Sequence, residues 1–179
     1  MRRGFKTEAR KLALDVRDEI GIGPEGPFDP HALADLYGIR VLRVSELGLT
    51  SASSTAISGA LIAVGTGRLI LENDAHSEAR CRLTVSHEMS HVVLEHEFAT
   101  MIVDPTGCRD LIGDQEDEAT VLAGEMVLPT DTAIKWAIRG RSDVEVAQIL
   151  GISVEAARWR MNTSGGRKIA ERTHAKRRG

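Results

Sequence analysis

Aromatic residues are almost missing from this chain. Three Phe, two Trp and one Tyr amount to 3% of 179 residues, so any core must be aliphatic, built on Leu, Ile, Val and Ala. Cysteine is equally scarce. Cys81 and Cys108 are too few for a disulfide framework and do not have a zinc-knuckle spacing. Free thiols in a reducing compartment are the expectation. No apolar run approaches the ~20 residues of a membrane-spanning helix. The opening MRRGFKTEARKLALD is basic but lacks the apolar stretch of a secretory signal. Gly and Pro are not periodic and no heptad run occurs, which excludes collagen-like and coiled-coil classes. Neither charge sign dominates: the net charge is -3 and the isoelectric point about 6.1, unlike a generic polyanion binder. These absences together predict a cytoplasmic protein with no membrane partner, and none of them bears on oligomeric state.

What is present suffices for a folded domain. Hydrophobic residues make up 42% and charged residues 27%, and a chain of ~150 residues or more buries roughly 70% of its surface on folding. Helical spacing of Ala9, Leu12, Val16 and Ile20 predicts a helix over 5–20. Gly- and Pro-rich residues 21–30 form a loop, after which Asp29 caps a short helix over 31–37. Residues 39–44 form a strand, 50–58 a Ser/Thr/Ala-rich loop, and 60–64 with 68–72 a hairpin. From residue 77 the pattern is helical: 77–95, 115–128, 130–138 capped by Thr130, 142–150 and 153–162, with an irregular stretch over 98–113. The chain from Thr163 onward is expected to fray. From Arg167 onward it carries six Lys/Arg against one Glu. The architecture predicted is α+β, with a small sheet first and mostly helices after residue 77.

The informative segment is His87-Glu88-Met89-Ser90-His91, an H-E-x-x-H within the longest helix. Residues four apart stand about 40° from each other around a helix. Both imidazoles can therefore reach one zinc ion, while Glu88 lies beside that face, where a general base belongs. A catalytic zinc needs a third protein ligand and an open position. The candidates are His96, Glu116 and Glu118. His96 would stand about 140° from His91 on a continuing helix, so a second helix is the better source. Glu116 shares a face with Ala119, Thr120, Ala123 and Val127, whereas Glu118 points about 200° away, toward Glu125. Taking the small, apolar face as the buried one selects Glu116. Thr120, one turn on, could then bond a ligating histidine from behind. Glu118 is expected to be solvated.

Residues 80–91, RCRLTVSHEMSH, resemble the R-F-T-L-A-H-E-L-G-H segment of the ImmA/IrrE family of zinc metallo-endopeptidases. Residues 116–129, EDEATVLAGEMVLP, resemble that family's E-x-E-A-N-x-F-A-A-x-L-L-M-P, and SGALIAVGTGRLILEN resembles its hairpin. The likeness covers about residues 5–160. It implies a gluzincin-like fold, zinc on His87, His91 and Glu116, and the catalytic role on Glu88. It further implies a protein substrate, a helix-turn-helix repressor or antitoxin. Thr120 stands where the family usually has Asn or Asp, and its His four residues after the pentad is here Glu95, with His96 next.

Residues 146–160 read as helix, Gly turn and Ser-capped helix, a helix-turn-helix pattern carrying Arg158 and Arg160. Trp159 is expected to anchor the packing, and Cys81 simply to be packed. The predicted organisation is a metallopeptidase domain over 1–140, a helix-turn-helix-like extension packed on it over 141–164, and a basic flexible tail over 165–179. Hydrolysis of a protein substrate is the leading expectation, with the strand over 68–72 offering an edge to an extended peptide. Weak, unselective contact with nucleic acid through the tail is a further one. The rival is a DNA-binding regulator whose metal site is vestigial or structural.

Overall fold

A computed structural model describes residues 1–47, 58–65, 67–96 and 113–178. Most of the loop predicted over 50–58 and of the irregular stretch over 98–113 lies outside them. The described elements are α1 (Phe5–Glu19), α2 (Pro30–Leu36), β1 (Arg40–Arg43), a short 3-10 turn (Val44–Leu47), β2 (Gly59–Val64) and β3 (Gly67–Glu72). Then come α3 (Glu78–Val93), α4 (Gly113–Val127), α5 (Thr130–Ile138), α6 (Asp143–Leu150), α7 (Val154–Thr163) and α8 (Gly166–Arg178). This is an α+β fold, mostly helical, with one small sheet. No described helix is long and apolar enough to cross a membrane.

Local chemistry explains the helix starts. Asp29 accepts the N–H groups of His31 and Ala32, with Pro30 as the first helical residue. Ser77 caps α3 through the Arg80 N–H, and Ser153 caps α7 through the Ala156 N–H. Ser142 and Glu145 form a reciprocal capping box on α6. Gly151 ends α6 with φ 62°, in the left-handed region that favours glycine. Thr130 is the exception. It is the first residue of α5 rather than its cap, and its hydroxyl bonds Glu125 instead.

The strand order is β1-β3-β2. β2 and β3 are antiparallel with Leu61 opposite Ile70, and β1 runs parallel to β3 with Val41 opposite Ile70. The strand over 68–72, expected at an edge, is therefore central, because β1 returns from across the chain to cover its second side. β2 pairs on one side only among the described residues. It sits close against α3: a Cβ at Gly59 would collide with the Thr84 methyl and stand 3.1 Å from the Leu71 carbonyl oxygen.

Buried apolar residues from Phe5 to Ala170 form one continuous core, so α6, α7 and α8 share it with the earlier elements. Arg17 of α1 is fully buried and donates to the carbonyl oxygens of Met126, Gly23 and Gly26. Burial pulls its pKa down to about 10, which still leaves it protonated at neutral pH. Arg160 of α7 is buried as well, bonding the Leu128 carbonyl at 2.9 Å and Glu125 at 2.7 Å. Half-buried Trp159 lies over Gly124, where a Cβ would stand 2.9 Å from the indole ring. Cys81 is buried with its thiol toward the Asn73 carbonyl.

The residues expected to form a flexible tail are instead helical. α8 packs along α5, burying Ala170, and Ser164 receives the Gly166 N–H at its start. Gly166, Ala170 and half-buried Thr173 mark its inner side while Ile169 is exposed, too faint a stripe to stand out among six cations.

Candidate metal centre

α3 and α4 pack against each other, and their contact brings the predicted residues together. His87 and His91 lie one turn apart on α3, with Nε2 atoms 3.2 Å from each other. Glu116, in the first turn of α4, places Oε2 3.2 Å from His87 Nε2 and Oε1 3.2 Å from His91 Nε2. Donor atoms held at about 2.0 Å from a common tetrahedral centre stand about 3.3 Å apart. The three side chains thus already have the spacing of ligands around one ion. Among the described residues they are the one group of this kind.

A second observation points the same way. Glu116 Oε1 is inaccessible and accepts no hydrogen bond. A buried carboxylate oxygen without a donor is costly, and a cation between the three groups supplies what it lacks. Two imidazole nitrogens and a carboxylate form a donor set suited to zinc, leaving a fourth position open.

Glu88, next in the chain to His87, is 7% exposed. Its Oε2 accepts the backbone N–H of Leu61 at 3.0 Å, which fixes the carboxylate against β2.

Two expectations about α4 are corrected. Thr120 is exposed, so it does not support a histidine from behind. Glu118, expected in solvent, is 4% exposed. Periodicity divides a helix into faces but does not say which face a distant segment will cover. Here the covering segment is the N-terminus: Arg2 bonds Glu118 Oε1 through its backbone N–H at 2.8 Å and through Nε at 3.0 Å. Burial alone would raise the Glu118 pKa, but the Arg2 hydrogen bonds and charge outweigh it and hold it below the ordinary carboxylate value.

The group behind His91 is His96. Its Nδ1 lies 2.9 Å from His91 Nδ1, on the ring edge opposite the Nε2 that faces Glu116. His96 therefore stands outside the three-residue cluster. Burial is the main influence lowering its pKa, against the opposing pull of Glu118. The offset of about 140° from His91 holds only for a continuing helix, and the helix does not continue. Glu95, with φ 52°, reverses the chain at the end of α3, and the His96 N–H bonds back to the His91 carbonyl at 3.0 Å.

Comparison with known proteins adds one finding. Residues 34–162 match a peptidase family model described as an IrrE N-terminal-like domain. That span runs from α2 through nearly all of α7 and holds His87, Glu88, His91 and Glu116. No curated protein matches the chain.

Proposed function

The chain belongs to this peptidase family, and we propose that it is a zinc-dependent endopeptidase. The observation that carries the reading is the convergence of His87, His91 and Glu116 at mutual distances of 3.2 Å. Those three residues would hold the ion. When bound, zinc acts as a Lewis acid toward the scissile carbonyl and the attacking water.

The remaining work belongs to this chain's own groups. The Glu88 carboxylate takes the proton of the attacking water and returns it to the leaving amine. Leu61 keeps that carboxylate from rotating away. The outer side of β2, rather than β3, is the strand edge to which an extended peptide can add. Because Leu61 lies on β2, a peptide there runs past Glu88.

A protein substrate of the repressor or antitoxin kind follows from the family likeness, and a cytoplasmic setting fits the free Cys81 thiol. The rival reading, a DNA-binding regulator with a structural metal, is less well supported. A structural zinc takes four protein ligands, and His96 faces the wrong side of His91 to be the fourth. Arg160, one of the two arginines that suggested DNA reading, is buried against Glu125. Nucleic-acid contact is left to exposed cations of α8.

Glu88→Gln tests the mechanism. The variant should keep about one zinc per chain, because the base is not a ligand, and should lose cleavage. A chelator should abolish cleavage by the wild type. Wild-type rates from Glu88→Gln would show the mechanism to be wrong.

A further inference from the structure

Behind the cluster runs a line of polar groups that the proposed reaction does not use. His91 Nδ1 meets His96 Nδ1 at 2.9 Å. His96 Nε2 lies 3.7 Å from Glu118 Oε2, and Glu118 is held by Arg2. His96 and Glu118 are 7% and 4% exposed, so solvent does not compete for these contacts. The rings of His91 and His96 meet edge-on, with centroids 5.0 Å apart and planes at 68°.

The backbone is bent to make this line. Glu95 is the one non-glycine residue of positive φ among the described residues. A side-chain-bearing residue there is strained, and such strain persists only where its surroundings enforce it. Without that reversal His96 would project away from His91.

Proton positions follow from counting. Two Nδ1 atoms at hydrogen-bond distance cannot both carry hydrogen, nor both lack it. If His91 offers the Nε2 lone pair to an ion, its proton sits on Nδ1 and is donated to His96. His96 then accepts at Nδ1 and carries its own proton on Nε2, toward the Glu118 carboxylate. The opposite polarity would protonate His91 Nε2 and turn an N–H into the cluster.

Resting on the reading of His87, His91 and Glu116 as a zinc site, we propose that His96 and Glu118 are positioning residues that fix the metal-binding tautomer of His91. Arg2 orients Glu118, Glu118 selects the His96 tautomer, and His96 selects that of His91. Glu118, expected from the sequence to be solvated, thereby gains a role at the cluster.

The test uses the full-length protein stripped of metal, with zinc affinity measured by chelator competition and the visible spectrum of the cobalt(II) form recorded beside it. His96→Leu fills the space but cannot accept a hydrogen bond, and it should lose about 10–100-fold in zinc affinity. His96→Asn places a carbonyl oxygen near the lost Nδ1 and should recover most of that loss and the wild-type cobalt spectrum. Glu118→Gln should weaken affinity with little change in the melting of the metal-free protein. Equal loss in His96→Leu and His96→Asn would reduce His96 to packing and overturn the proposal. If His96→Leu does not fold, Glu118→Gln decides, and unchanged affinity there overturns it. Wild-type protein that binds no zinc would instead defeat the metal-site reading itself, and this proposal with it.

Discussion

The guanidinium of Arg160 lies 2.7 Å from the carboxylate of Glu125, and both side chains are buried. The pair joins α7 to α4, with Thr130 accepting from the arginine at 3.1 Å and donating to the glutamate at 2.6 Å. An arginine that looked like a DNA-reading group is thus an internal clamp. Arg158 is engaged too, with Asp143 at 3.3 Å, and Asp143 also bonds Arg167.

Breaking that clamp from one side should be severe. Arg160→Leu leaves buried Glu125 with Arg10, more distant at 4.0 Å, as its cation, and losses of a close buried partner run to about 3–5 kcal/mol. Adding Glu125→Leu should recover a large part, since paired charges replaced together by apolar groups are often near neutral. Urea unfolding of the two variants measures the difference. A single variant as stable as the double would show that Arg10 compensates Glu125 in place of Arg160.

Glu116 and Thr120 lie on one side of α4, yet they should behave oppositely. Glu116→Ala should lose its zinc on dialysis and all cleavage with it. Thr120→Ala should keep both, because an exposed side chain away from the cluster usually changes stability by less than about 0.5 kcal/mol. Metal content of the two proteins side by side is the measurement. Zinc retained by Glu116→Ala would move the third ligand elsewhere.

Lys168, Arg172 and Lys176 stand four residues apart on α8, all exposed. Any DNA affinity should come from this stripe, show little sequence preference and fall steeply with salt. Replacing the three by Gln should reduce the slope of log K against log salt by about 2–3. Selective binding that survives near 200 mM salt, a condition where phosphate-driven affinity drops by orders of magnitude, would favour the regulator instead.

Acid should loosen the start of α6 before it affects neighbouring helices. The Ser142 backbone N–H, then its hydroxyl, bond the Glu145 carboxylate and hold its pKa below the ordinary value. A carboxylate depressed in the folded state adds stability that is fully present above its unfolded pKa, about 4.3. That stability is lost as pH falls through the lower folded value. Amide protection at the α6 N-terminus should therefore drop on acidification below that point. Glu145→Gln should show no such step, and its persistence in that variant would assign the step to another group.

Legibility in the sequence followed the range of the interactions. Asp29, Ser142 and Ser153 announced their helices because a cap bonds its own chain two or three residues on. His87, Glu88 and His91 were readable because four-residue spacing on a helix is itself geometry. Glu116 does lie beside His87 and His91, but the buried-face argument that singled it out was incomplete, since the face bearing Glu118 is also covered. Nothing near Glu118 foretells that Arg2, 116 positions away, will close over it. The parallel pairing of β1 with β3 was equally hidden, because the two strands are separated by β2 in the chain. The position of His96 was left open by the sequence because it hangs on a single backbone angle at Glu95.

Two of the three converging donors sit on α3 and the third on α4, 29 positions from the first. An ion there is a cross-link as well as a reagent. It closes the intervening chain and binds a geometry that the unfolded protein does not hold, so its binding energy becomes folding energy. At a hundred times the dissociation constant that linkage is worth about 2.7 kcal/mol. Zinc supply would then set how long the molecule lasts as well as how fast it works. A cell short of zinc would hold less of this protein, because the metal-free form opens more often to degradation.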